Sequence, residues 1–290
     1  MLILFSSDQY FEQIYKVLNP KLGVDLLVTE PAKIGGRHHQ MIKNPAHVFA
    51  EKCRLTTLTP EKLDEDFAKK LAQIISAKDS TVGFVFSYGQ VIPPSITKLF
   101  RRGVLNLHPS LLPKLRGATP IQSAILQGDK ETGYSIIKIG RKVDAGAILW
   151  QQKVKIDPRD SYETLKDKIV VRALKSLPEV VEKYLGGKIK LIPQGRHGVS
   201  NSRKFTKADG ELKSNESAAT AERKIRAFCS WPKATLKVGD HRLIIHQAKL
   251  AADLLVIEKI QVPGRQVISF AEFRRGYPSL LTGFPKFVKV

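Results

Sequence analysis

Three polar side chains have the types and spacing for acyl-transfer chemistry: Asn106, His108 and Asp144. Residues 104–122 read VLNLHPSLLPKLRGATPIQ, a short apolar run that carries Asn106 and ends at His108 and Pro109. In an extended segment two residues apart share a face, so the amide and the imidazole emerge together. Asp144 lies in GRKVDAG, between a valine and a pair of small residues, which places its carboxylate on a tight loop. An amide donor and a protonated imidazole can hold the oxyanion of a tetrahedral intermediate. A carboxylate can keep the imidazole cationic and take up the proton lost by an attacking amine, directly or through water. No serine or cysteine nucleophile is required, because an α-amine with a reference pKa of about 7.7–8.0 is itself nucleophilic once neutral. A histidine at a strand end more often closes a structural hydrogen bond, and spacing alone leaves both readings open.

The surrounding pattern says what must position these groups. Residues 2–5, 26–29, 81–86 and 103–107 are short continuous apolar runs, as expected of strands covered on both faces. Helical periodicity fills the intervals: residues 8–18 with Asp8 as cap, then 45–52 and 63–75. This alternation predicts an α/β fold with a mostly parallel sheet, whose carboxyl strand ends are the usual ligand site. A long helix is predicted from Ser161 to the Gly186-Gly187 pair, kinked or split at Pro178. Residues 188–215 have no period and read as a linker, and a short helix follows at 216–228. The run TLKVGDHRLIIHQAKL has a Gly-Asp turn between alternating segments, which predicts a hairpin, and the later LLVIEKIQ and VISFAEF continue as strands. The expected organisation is residues 1–190 as an N-terminal domain, 191–204 as linker, and 205–290 as a smaller β-barrel, closed or open.

Charge narrows the partners. The 290 residues carry 48 Lys+Arg against 27 Asp+Glu, a formal +21. Residues 196–290 hold 18 basic and 8 acidic side chains, so the smaller domain is about twice as basic per residue as the rest. That favours a polyanionic partner such as a nucleic-acid backbone. The two cysteines, Cys53 and Cys229, make no disulfide framework and have no metal-ligand spacing, which fits a reducing cytoplasm and predicts no metal. No apolar run approaches the roughly 18 residues needed to span a bilayer. The stretch EPAKIGGRHHQMIKN, residues 30–44, is a long loop with Pro, two Gly and several cationic groups, either functional or disordered.

The run NLHPSLLPKLRGATPIQ, with the later VDAG, resembles the formyltransferase family that uses 10-formyltetrahydrofolate. The family's Asn-x-His, Ser-Leu-Leu-Pro and downstream Asp match at Asn106, His108, Ser110 to Pro113, and Asp144. The resemblance implies a Rossmann-like N-terminal domain, an OB-like C-terminal one, and direct formyl transfer from the folate without a metal. It implies a folate pocket lined by Tyr88, Gly89, Gln90, Val91 and Ile92, by Ser110, Leu111, Leu112 and Pro113, and by Gly140 and Val143. Among the family's acceptors, the stretch RGATPIQSAILQGDKETG, the 225–234 run IRAFCSWPKA and the net charge favour methionine esterified to initiator tRNA. The basic loop then implies Lys33, Arg37, His38 and Lys43 as contacts to the tRNA acceptor stem. The family's C-terminal domain is apparently shortened here, because the chain passes straight from Leu250 to LLVIEKIQVPG. A monomer is expected. The alternatives are a nucleotide amino-sugar N-formyltransferase and a non-catalytic RNA-binding protein on the same fold.

Overall fold

The structure is a computed structural model that describes residues 1–35, 39–76 and 80–290. The chain divides into two compact units. Residues 1–116, 133–153 and 169–200 form the first, and residues 117–132, 154–168 and 201–290 form the second. Among the described residues no helix is long and apolar enough to cross a membrane.

In chain order the first part runs β1 (Leu2–Phe5), α1 (Phe11–Leu22), β2 (Val24–Val28), β3 (Lys33–Gly35), β4 (Gln40–Ile42), α2 (Pro45–Lys52), β5 (Thr57–Leu58), α3 (Glu65–Ile75), β6 (Val82–Val85), α4 (Pro94–Thr97), β7 (Val104–His108) and β8 (Arg116–Gly117). It continues through α5 (Pro120–Gln127), β9 (Glu131–Lys138), β10 (Ile148–Lys155), α6 (Tyr162–Leu185) and β11 (Asn201–Ser202). Seven strands form one sheet in the order β10-β9-β7-β6-β1-β2-β5. The pairs from β7 to β5 are parallel, and β9 runs antiparallel to β7. The LILF and VGFV runs of β1 and β6 are buried at every residue, which is why they read as continuous apolar stretches. Ile3, Phe5, Val28, Leu71, Ile96 and Val104 pack into one core cluster on this sheet.

Local chemistry sets the helix ends. Asn44 and Asp64 accept hydrogen bonds from the main-chain N–H of His47 and Phe67 and so start α2 and α3. Asp8 does not cap α1. Its carboxylate takes the N–H of Tyr10 at 3.1 Å in a turn that delays the helix to Phe11, and the helix then runs on through Pro20 to Leu22. Helix α6 is not split at Pro178. It is continuous over 24 residues, held by the buried Leu177, Val180 and Val181 around the proline. Within the basic loop, β3 and β4 pair antiparallel, Lys33 opposite Ile42 and Gly35 opposite Gln40.

The second unit contains β12 (Glu211–Leu212), α7 (Ala218–Ala227), β13 (Ala234–Val238), β14 (His241–Ala251), β15 (Leu254–Gln261), β16 (Val267–Ser269) and α8 (Phe270–Gly276). Its sheet has the order β12-β13-β14-β15-β16, with β12 and β16 at its edges. The β13–β14 hairpin turns on Gly239-Asp240, where Gly239 has φ +56°, a conformation that glycine adopts freely. Leu236, Leu243, Ile245, Leu255, Ile260 and Phe273 make its core, and α7 adds Ala221 and Ile225. The VISFAEF run is only half strand. Ser269 accepts from the N–H of Glu272 while the Glu272 carboxylate returns to Ser269, a reciprocal cap that turns the chain into α8.

Candidate active site

Strand β7 is buried except at Asn106, which is half-buried. Both Asn106 and His108 face the loop that carries Asp144, and the three side chains meet. Asn106 Nδ2 donates to Asp144 Oδ1 at 3.3 Å, and His108 Nδ1 lies 3.5 Å from Asp144 Oδ2. The other imidazole nitrogen, Nε2, is 2.9 Å from the carbonyl of Leu115. Burial pushes the His108 pKa below the ordinary imidazole value, and Asp144 and the Leu115 carbonyl oppose that push without overcoming it. The sequence reading has Asp144 keep His108 cationic; in the folded protein desolvation wins, and the resting ring is neutral. A carbonyl oxygen only accepts, so a neutral ring that makes this bond carries its proton on Nε2.

Asp144 adopts φ +50°, an uncommon backbone conformation for a residue with a side chain. Two devices hold it there. Gly146 packs so closely that a Cβ would stand 1.8 Å from the Lys138 carbonyl oxygen. Gln194 Nε2 donates to the main-chain carbonyls of Asp144 and Gly146, both at 2.8 Å, while its Oε1 accepts from Arg116 Nε at 3.0 Å and Nη2 at 2.6 Å. Gln194 and Arg116 escape sequence reasoning as site residues. Gln194 lies in the aperiodic 188–215 stretch, and no local pattern there marks it. That stretch is tied down elsewhere too. Ile192 bridges Ile148, and Ser200 Oγ accepts the N–H of Leu115 at 2.9 Å.

The residues expected around a folate fall into two groups. Ser110 and Leu112 are buried and used in holding their own loop. Ser110 Oγ donates to the Lys114 carbonyl, Ser135 Oγ to the Ser110 carbonyl, and Leu112 packs on Ile137 and Ile148. Leu111 and Pro113 are partly exposed, with a cis bond between Leu112 and Pro113. Gly140 packs against Gly146. After β6, Ile92 joins the core, and Gln90 bonds the Leu63 N–H and the Glu61 carbonyl. Gly89 is exposed, and Tyr88 is half-buried with its ring edge-on to Phe5. Val91 and Val143, at 74% and 60% exposure, are the large apolar side chains of this set left open to a ligand. In the basic loop, Lys33 pairs with Glu30 at 3.2 Å and Lys43 with Glu51. Arg37 and His38 lie outside the described residues.

The chain is similar to known proteins along most of its length. The family described as Formyl transferase matches residues 2–181, and the Formyl transferase C-terminal domain matches residues 204–254. The chain is 32% identical over 294 residues to the methionyl-tRNA formyltransferase of Buchnera aphidicola subsp. Acyrthosiphon pisum, covering 92% of each chain. It is 35% identical over 268 residues to that of Acidiphilium cryptum, covering 86% of this chain and 87% of the other. Its fold is similar to that of an N-formyltransferase from Helicobacter canadensis, with a TM-score of 0.67 and 14% identity over 92% of this chain and 97% of that one. It is similar also to the methionyl-tRNA formyltransferase of Clostridium thermocellum, with a TM-score of 0.59 and 16% identity over 90% and 97%. Family match and relatives agree: the chain belongs to the formyl transferase family.

Proposed function

We propose that this enzyme transfers a formyl group from 10-formyltetrahydrofolate to the α-amine of methionine esterified to initiator tRNA, the step that prepares that tRNA for translation initiation. The observation that carries the reading is the convergence of Asn106, His108 and Asp144 within 3.5 Å, in a chain whose relatives of that name align over most of its length.

The neutral amine attacks the formyl carbon, and a tetrahedral oxyanion forms. Asn106 donates one Nδ2 hydrogen to Asp144 and has a second for the oxyanion. His108, neutral at rest, takes the amine's proton at Nδ1 beside the Asp144 carboxylate. The imidazolium appears only as the oxyanion appears, so its charge stabilises the transition state more than the ground state. The C–N bond to the amine stays, the bond to the folate nitrogen breaks, and the proton passes to that nitrogen. The segment from Tyr88 to Ile92 is proposed as the folate wall, with Val143, Gly140 and the Ser110 to Pro113 loop beside it. Lys33, Arg37, His38 and Lys43 and the basic residues 205–290 are proposed as the tRNA surface. The formal +21 favours this acceptor over a nucleotide sugar.

The test is incubation of the protein with 10-formyltetrahydrofolate and charged initiator methionyl-tRNA. N-formylmethionine formed by the wild type and lost in His108→Ala is the expected result. RNA binding without product would refute transfer, and product only on amino-sugar nucleotides would reassign the acceptor.

A further inference from the structure

The proposed reaction leaves unused the Glu30 carboxylate and the Tyr88 hydroxyl, although the Tyr88 ring belongs to the proposed folate wall. Strands β6, β1 and β2 are neighbours, and the chain leaves β1 to one side and later returns on the other. Their carboxyl ends open a crevice where the strand order reverses, the position at which open α/β sheets hold ligands. Glu30 follows β2 there, and its main chain is fixed from both sides. Its N–H donates to Ser7 Oγ at 3.0 Å, and its carbonyl accepts from Asn44 Nδ2 at 2.8 Å. The Ser7 N–H donates to the Ser87 carbonyl at 3.2 Å, which ties the ends of β1, β2 and β6 together.

On this frame the Glu30 carboxylate lies over Gly89, where any Cβ would stand 2.4 Å from Oε1. Oε2 pairs with the exposed Lys33, and among the described residues Oε1 accepts no hydrogen bond. The Tyr88 hydroxyl is buried and has no hydrogen-bond partner among the described residues. Burial and the nearby Glu30 charge push its pKa up, so it stays a donor. A fixed acceptor and an unpaired donor close together match a sugar with adjacent oxygens. They do not match a phosphate, which the carboxylate repels, and the FSSDQYF turn offers no glycine for a phosphate to approach.

We propose that Glu30 Oε1 and the Tyr88 hydroxyl form a subsite for a ribose, and, on the acceptor assigned above, for the terminal ribose that carries the aminoacyl ester. The carboxylate accepts the free hydroxyl of that ribose, and the phenol donates to a neighbouring sugar oxygen. Gly89 follows β6, and β6 is the neighbour of β7. The subsite and the strand that carries Asn106 and His108 therefore lie at the same carboxyl edge of one sheet. The aminoacyl ester then runs along that edge, with its ribose held at Glu30 and its amine delivered to the formyl group.

The test compares two acceptors: methionyl-tRNA with its normal 3′-terminal ribose, and the same RNA ending in 2′-deoxyadenosine with methionine on the 3′ oxygen. Glu30→Ala is expected to raise KM for the normal acceptor by about 10- to 100-fold, the range for a lost charge-assisted hydrogen bond, with little change in kcat. Tyr88→Phe is expected to raise it by about 10-fold. The deoxy acceptor is expected to be poorer with the wild type and no poorer still with Glu30→Ala, because both changes remove the same bond. An unchanged KM for 10-formyltetrahydrofolate in Glu30→Ala is the accompanying result, and it shows that the fold and the folate wall survive. Penalties that multiply, or a folate KM that rises with the acceptor KM in Glu30→Ala, would overturn the ribose subsite while leaving the acceptor assignment intact. A wild type that forms no product on the normal acceptor would overturn that assignment and the subsite with it.

Discussion

Replacing Gln194 with alanine tests whether the Asp144 loop is held in place for catalysis. Gln194 is the strut of that loop. It donates twice, to the carbonyls of Asp144 and Gly146, and Arg116 grips its other end. Each of those two donations contributes about 0.5–1.5 kcal/mol net. Asp144 also holds a left-handed backbone conformation, φ +50°, that costs a non-glycine residue roughly 1–2 kcal/mol and relaxes when its restraints go. Losing both bonds therefore shifts the loop by about 1–3 kcal/mol toward conformers in which the carboxylate no longer meets Asn106 and His108. At 1.4 kcal/mol per factor of ten in an equilibrium constant, kcat falls about 10- to 100-fold. Gln194 is a positioning residue, so its loss should fall on kcat, with KM for the folate and for the acceptor near wild type. Gln194→Glu should be at least as damaging, since a carboxylate keeps the Arg116 contact but cannot donate to the two carbonyls. Single-turnover formylation with both substrates saturating reads the chemical step directly. A Gln194→Ala enzyme with wild-type single-turnover rate would refute the reasoning, and so would a loss confined to KM.

Other perturbations separate the remaining roles. His108→Ala and Asp144→Ala should each lower turnover by about 10² or more with little change in tRNA affinity, read by steady-state kinetics and a binding titration; equal losses in both would remove the catalytic assignment. Burial lowers the His108 pKa, so the unfolded chain binds a proton that the native ring resists. The stability this contributes is present above the unfolded imidazole value of about 6.5 and is lost as pH falls below it. The melting temperature of the wild type should therefore drop more between pH 7.5 and 5.5 than that of His108→Gln, and parallel curves would count against a neutral buried ring. Gly146→Ala forces a methyl to 1.8 Å from the Lys138 carbonyl oxygen, a contact with main chain that cannot turn away, and should cost about 1–3 kcal/mol in urea midpoint along with activity. Arg37→Ala should weaken tRNA use and reduce the slope of log affinity against log salt by about one contact.

The strand that carries Asn106 and His108 was legible because its signal is local. The alternation in VLNLH puts Asn106 and His108 on one face, and β7 obeys it, with the buried positions on either side. The hairpin at Gly239-Asp240 was legible for the same reason, a turn type with a two-residue signature. Misreadings occurred where a local signal competes with another one. Asp8 has the type of an N-cap, but its carboxylate serves the N–H of Tyr10 and the helix begins later. Pro178 breaks isolated helices, yet the buried side chains on its own helix hold α6 through it. VISFAEF alternates like a strand, but the Ser269–Glu272 cap lies inside it.

The supporting shell of the site was not legible, for a different reason. Gln194 acts across 50 residues of sequence, and Leu115 reaches Ser200 across 85. Neither pairing leaves a period or a spacing to read, because each side chain answers to a backbone carbonyl or N–H rather than to another side chain of matching type. The same division accounts for His108. The sequence shows a carboxylate that favours the imidazolium; only the fold shows a ring 4% exposed, where desolvation outweighs that carboxylate. A ring neutral at rest suits the proposed reaction better than a cationic one. An imidazolium already paired with Asp144 would stabilise substrate and transition state alike, whereas a ring that gains its proton during attack stabilises the transition state alone. The close packing around His108, which the sequence does not show, is thus the feature that fits it to accept the amine's proton.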